Sequence, residues 1–223
     1  MIFAMHQPNF LPWIGFFNKM AQVDYFVLLD DVELPDGGSW ANRTRIKTPD
    51  GVQYLTLPLS RSHDDTYASA TPAIDERGFR KLWKTIHHNY ARCPHFACYA
   101  QGIQDWLLSS TGYSLAAINT EFIYQIKHDL GIRTRLLSQA SLGISSYKNQ
   151  RIIDIARELD CSTYLSGHGA HSYNDPEMII DAGIDLIYQK LELPVYEQPW
   201  GQFAPGLSII DLLFNCGGAG REL

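Results

Sequence analysis

A chain of 223 residues, 45% of them hydrophobic, can bury a full core, while its formal charge of −6 excludes a protein built to coat nucleic acid, which needs Lys and Arg in clustered excess. No apolar run nears the roughly 20 residues of a membrane span, and the N-terminus lacks the features of a secretory signal, so a cytoplasmic protein without membrane insertion is expected. Cys93, Cys98, Cys161 and Cys216 are too scattered for a disulfide scaffold or a zinc site; the cofactor is unknown, with no metal or redox signature.

In chain order, the apolar run 1–5 and the run 25–29 read as buried parallel strands. Between them, Ile14, Phe17, Met20 and Ala21 recur at helical spacing over 12–21, with Pro12 suited to a first turn. A hairpin follows, 43–47 and 52–59, turning at Asp50-Gly51. Helical patterns at 76–90, 94–108 and 114–130 predict a lobe at about 75–130. The alternation resumes with a strand at 133–137, a helix at 147–159, strands at 162–166 and 186–189, and a closing helix at 208–214. The expected fold is one α/β domain over 1–223, a mainly parallel, Rossmann-like sheet with a β-hairpin and an inserted helical lobe.

Ligands of open α/β sheets collect at the carboxyl ends of strands. His6, Asp30, Asp31 and Gly167-His168-Gly169 all fall there. His6 can serve as acid or base, with Gln7 and Asn9 orienting substrate on a loop stiffened by Pro8 and Pro12, or it can simply satisfy backbone at the strand end. Asp30 and Asp31 point to opposite faces, so at most one serves a given pocket, and solvated loop acids are the bland alternative. Arg43, Arg45 and Lys47, next to Asn42, share one strand face that suits a phosphate or carboxylate, or protects a hairpin edge. Ser145 and Ser146 suit a helix cap, with Lys148 and Arg151 on one side of an anion-binding terminus. Gly167, His168, His171 and Tyr173 lie on a small-residue loop fit for phosphate or sugar contacts. Ser208 suits a cap, with Asp211 and Asn215 on one face of the last helix.

His6-Gln7-Pro8-Asn9-Phe10-Leu11-Pro12-Trp13, Asp30-Asp31, 40–47, Ser166-Gly167 with Tyr173, and 207–215 together resemble the WbqC-like protein family over nearly the whole chain. The resemblance implies a bacterial protein of O-antigen or other surface-polysaccharide synthesis. A looser likeness to HIGH-type nucleotidyltransferases covers the strand-loop-helix of 5–20, without the two histidines of that motif.

The leading expectation is a transferase acting on a nucleotide-linked or phosphorylated sugar. His6, with Asp30 or Asp31, would be catalytic; Gln7, Asn9, Trp13, Asn42, Arg43, Arg45, Lys148, Gly167, His168, His171, Tyr173 and Asp211 would bind an anionic small-molecule substrate. A scaffold subunit presenting Trp13, Trp40 and Trp200 is one alternative. Acyl or aminoacyl transfer from Ser208 or Cys216 is another.

Overall fold

The computed structural model describes residues 1–34, 39–60, 65–170 and 173–218. β1 (Ile2–His6) leads through α1 (Ile14–Ala21) to β2 (Tyr25–Leu28). An antiparallel hairpin of β3 (Arg43–Thr48) and β4 (Gly51–Thr56) follows, then the short pair β5 (Leu59–Ser60) and β6 (Thr71–Pro72). α2 (Glu76–Tyr90), α3 (Phe96–Ser109) and α4 (Leu115–Asp129) make the helical lobe. The chain then returns as β7 (Arg135–Ser138), α5 (Gln139–Leu142), α6 (Lys148–Glu158), β8 (Thr163–Ser166), α7 (Pro176–Asp181), β9 (Asp185–Tyr188) and α8 (Ile209–Cys216).

Five strands form a parallel sheet in the order β7-β2-β1-β8-β9. The chain builds outward from β1 on one side, then crosses to build outward on the other. β1 and β8 are therefore the pair at which strand order reverses, and their carboxyl ends open a crevice at that point. His6 ends one and Ser166 ends the other.

The sheet is buried on both faces, and strand alternation sorts its side chains. Ala4, Phe26, Leu28 and Leu165 join the larger core with α1, α8 and the lobe. Phe3, Val27, Leu29 and Tyr164 join the smaller one with Ile152, Ile155 and Ile179 from α6 and α7. This three-layer arrangement is the mainly parallel α/β class that the sequence pattern predicts.

Three local expectations are corrected. Pro12 precedes α1 instead of opening it, because Leu11 takes φ +45° and Trp13 stays extended, bridging to Ser208. Ser208 makes no capping bond to α8; its hydroxyl is committed elsewhere. Neither Ser145 nor Ser146 caps α6, whose N-cap position is Tyr147 without a side-chain bond. By contrast Asp75 and Ser114 cap α2 and α4 by accepting from Gly78 N (3.0 Å) and Ala117 N (3.3 Å).

Candidate functional site

The loop after β1 is fastened from three sides. Buried Asn119 of α4 donates through Nδ2 to the carbonyls of Pro8 (2.7 Å) and Ala41 (2.8 Å). The hydroxyls of Thr44 on β3 and Ser208 before α8 both donate to the Leu11 carbonyl, each at 2.9 Å. Backbone bonds from Phe10 N to Trp40 O (3.0 Å) and from Ile209 N to Pro12 O (2.8 Å) complete the frame. The left-handed Leu11 persists because these contacts over-determine it.

At the base of that loop His6 sets its ring against Phe16, centroids 5.1 Å apart. Its Nδ1 lies 2.9 Å from the Gln7 carbonyl oxygen, which can only accept, so Nδ1 carries the proton and Nε2 keeps a free lone pair. Burial, and then the nearby Lys19 charge, push the imidazole from 6.5 down to about 3, against a weaker upward pull from the Gln7 carbonyl. The ring is neutral at cellular pH.

Lys19, in the last turn of α1, is 3% exposed. Its Nζ donates to Met5 O (3.1 Å) and sits 5.5 Å from the Phe26 ring centre; no carboxylate pairs with it among the described residues. Desolvation pulls the ammonium from 10.5 down to about 7. A cation so poised is readily held in its charged form by an anion placed beside it. Sequence reasoning passed over Lys19. The signal was its i−3 and i−4 neighbours, Phe16 and Gly15, which helical spacing puts on the same face.

Three adjoining hollows meet at His6. The first, about 450 Å³, also touches Asn9, Trp13, Trp40, Thr44 and Arg45. A second, about 540 Å³, runs past Trp13, Lys19, Gly167 and Gln189. The third, about 600 Å³, is bordered by Gln7, Lys19, Lys148, Asn149, Gly167, Tyr173 and Asn174. Shared linings make them one trough across the carboxyl edge of the sheet, at the β1/β8 crevice. Asn149 joins its far wall, donating to Tyr173 O (3.5 Å) and accepting from Asp175 N (3.0 Å).

The structure thus gathers His6, Gln7, Asn9, Trp13, Arg45, Lys148, Gly167 and Tyr173 around one trough. His171 and the side chain of His168 lie outside the described residues. Other candidates are placed elsewhere. Asp30 accepts from the Ser138 hydroxyl and Ala140 N (3.3 Å), and exposed Asp31 lies beside it; neither lines the three hollows. Asn42 donates to Leu57 O (2.9 Å) within the hairpin. The basic stripe is partly engaged: Arg43 stacks on Tyr54 at 4.4 Å, Arg45 donates to Gly206 O (2.8 Å), and Lys47 donates to Gly201 O (3.3 Å) and Gln198 Oε1 (3.2 Å), while Arg43 Nε and Arg45 Nε are buried without a partner among the described residues. Arg151 turns inward to Ser146 O (2.6 Å).

Asp211 lies in the core with no exposed surface, accepting from Tyr90 Oη (2.9 Å), Tyr196 Oη (2.8 Å) and Gln198 Nε2 (2.9 Å). Burial pushes its carboxyl up, opposed by those three donors and by Lys47. It is a fastening between α8, α2 and the loop at 196–198, away from the trough. Cys216 has its thiol pushed up by burial and by Asp211, the reverse of an activated nucleophile. Among the described residues no three His, Cys, Asp or Glu side chains gather as metal ligands, and no helix is long and apolar enough to cross a membrane.

The model of the WbqC-like protein family matches residues 7–222. The chain belongs to the WbqC-like protein family. The match takes in the loop from Gln7 onward, the hairpin, the lobe and α8, while β1 with His6 immediately precedes it. The chain is also similar to the uncharacterized protein Rv1507c of Mycobacterium tuberculosis (strain ATCC 25618 / H37Rv), with 32% identity over 220 residues, 96% of this chain and 93% of that one. No solved structure matches it.

Proposed function

We propose that this WbqC-like protein is a transferase acting on a nucleotide-linked or phosphorylated sugar, in keeping with the surface-polysaccharide role that the family resemblance implies. The observation that carries the reading is a buried ammonium, Lys19, with no carboxylate partner among the described residues, facing the same hollows as the neutral imidazole of His6 at the switch point of a parallel sheet. A phosphate is the counter-charge that this ammonium lacks. Lys148, at the uncapped start of α6, adds a second cation across the third hollow.

In this reading Lys19 and Lys148 hold the phosphate, and Gly167 lets it approach the backbone closely. The free Nε2 of His6 accepts a proton from the attacking group, or returns one to the leaving group. A bound anion favours imidazolium and so raises His6 toward the range in which it can exchange protons. Isothermal titration with inorganic pyrophosphate, sugar 1-phosphates and nucleotide sugars tests the reading. Binding that weakens at least tenfold in Lys19→Met supports it, as does loss of turnover in a folded His6→Ala protein. Absence of binding across the whole panel removes the phosphate site and the transferase reading with it.

A further inference from the structure

The first hollow differs in chemistry from the other two. Its walls are mainly apolar, with Phe10, Pro12, Trp13, Trp40 and Leu193 among them. Two of its polar side chains are already engaged. The Thr44 hydroxyl donates to Leu11 O, and an Arg45 terminal nitrogen donates to Gly206 O. Nε2 of His6, the side-chain amide of Asn9 and the indole N–H groups of Trp13 and Trp40 keep hydrogen-bonding capacity among the described residues, and Arg45 Nε is buried without a partner there. Asn9 is 7% exposed and its side chain makes no hydrogen bond with the described residues.

Resting on the phosphate reading above, we infer that the first hollow holds the nucleobase of a nucleotide, stacked against Trp40 and Trp13 and read by the Asn9 amide. The apolar lining decides between base and sugar. A pyranose carries hydroxyls around its whole rim, and walls formed by Phe10, Pro12 and Leu193 leave part of that rim without partners. A base brings two apolar faces and an edge where one donor and one acceptor suffice, which is what a single Asn side chain supplies. The sugar end then faces the third hollow, whose border carries the polar side chains of Gln7, Asn149 and Asn174. The phosphates lie between, beside Lys19, as the order of the connected hollows requires.

Trp40 is 49% exposed, and its structural bond to Phe10 N is made by its backbone carbonyl, which alanine retains. Trp40→Ala and Asn9→Ala are the variants to make, with folding checked by thermal melting. Affinities of wild type and variants are measured for pyrophosphate, for a set of nucleoside diphosphates and for a sugar 1-phosphate. At least one nucleoside diphosphate is expected to bind about tenfold or more tightly than pyrophosphate, with quenching of Trp emission. Trp40→Ala abolishes that advantage while pyrophosphate affinity stays the same. If nucleoside diphosphates and pyrophosphate bind equally, or if only the sugar phosphate gains over pyrophosphate, the base assignment is overturned and the phosphate site stands. If pyrophosphate itself fails to bind, both readings fall.

Discussion

Ser208 donates its hydroxyl to the carbonyl of Leu11 at 2.9 Å, tying together residues 197 positions apart in the chain. The same oxygen accepts from Thr44, also at 2.9 Å. A loop, a hairpin and the start of the last helix thus converge on one acceptor, beneath the residues that line the trough.

That sharing makes the two hydroxyls partly redundant. Ser208→Ala or Thr44→Val alone leaves the Leu11 carbonyl with one donor, at a cost of about 1 kcal/mol each. The double variant leaves it bare and is expected to lose more than the sum, by a coupling of about 1 kcal/mol. Urea unfolding of the four proteins measures this; strict additivity would mean that the two bonds are independent.

Lys19 is held below its ordinary value of 10.5, at about 7. Between those two values the unfolded chain binds the proton that the folded chain releases, so stability rises with pH through this window, and the penalty is fully present below pH 7. Lys19→Met should therefore exceed wild type in stability at pH 6, by an amount on the order of several kcal/mol, with the gap closing toward pH 10.5. Equal stabilities at pH 6 would mean that the ammonium is solvated in the folded protein.

His6 acts over a lower window. Unfolded, it takes up a proton below 6.5; folded, it does so only near 3. Stability is consequently lost as pH falls from 6.5 to 3, and His6→Gln removes that slope without changing stability at pH 8 through the same mechanism. Chemical denaturation at pH 4, 5, 6 and 8 reads it directly, and parallel profiles for both proteins would contradict it.

Gly15 sits inside α1, where alanine ordinarily adds about 0.5–1 kcal/mol of stability. Here a Cβ would lie 2.3 Å from Cζ2 of Trp13. Overpacking wins, so Gly15→Ala should destabilise by about 1–3 kcal/mol and shift the near-UV signal of the displaced indole. A gain in melting temperature would show that Trp13 moves aside freely.

Removing the core carboxylate separates scaffold from site. Asp211→Ala leaves Tyr90, Tyr196 and Gln198 without their acceptor and should cost on the order of 3 kcal/mol. Pyrophosphate affinity of the folded variant should match wild type, since Asp211 does not line the trough. A selective loss of binding at unchanged stability would return Asp211 to the site.

Much of the scaffold is legible from local pattern. Apolar runs ending at His6 and at Asp30-Asp31 mark strand ends because a parallel strand covered on both faces has no polar positions until it stops. The α2 and α4 boundaries are equally readable, since Asp75 and Ser114 satisfy first-turn N–H groups within their own segment. Where a side chain had two possible partners, the local reading failed. Ser208 looks like a cap, yet its hydroxyl bonds a carbonyl at the other end of the chain.

The sequence by itself determined the β-α alternation, the hairpin and the position of His6 at a strand end, because these follow from periodicity and from residues close together in the chain. Only the tertiary structure decided which charges are free. Arg45 and Lys47 find carbonyl partners more than 150 residues away, whereas Lys19 is carried into the sheet's crevice and, among the described residues, keeps a single carbonyl. Charge is local, but its neutralisation and desolvation depend on what packs against it, and that is set by the sheet order β7-β2-β1-β8-β9 and the long-range contacts around it.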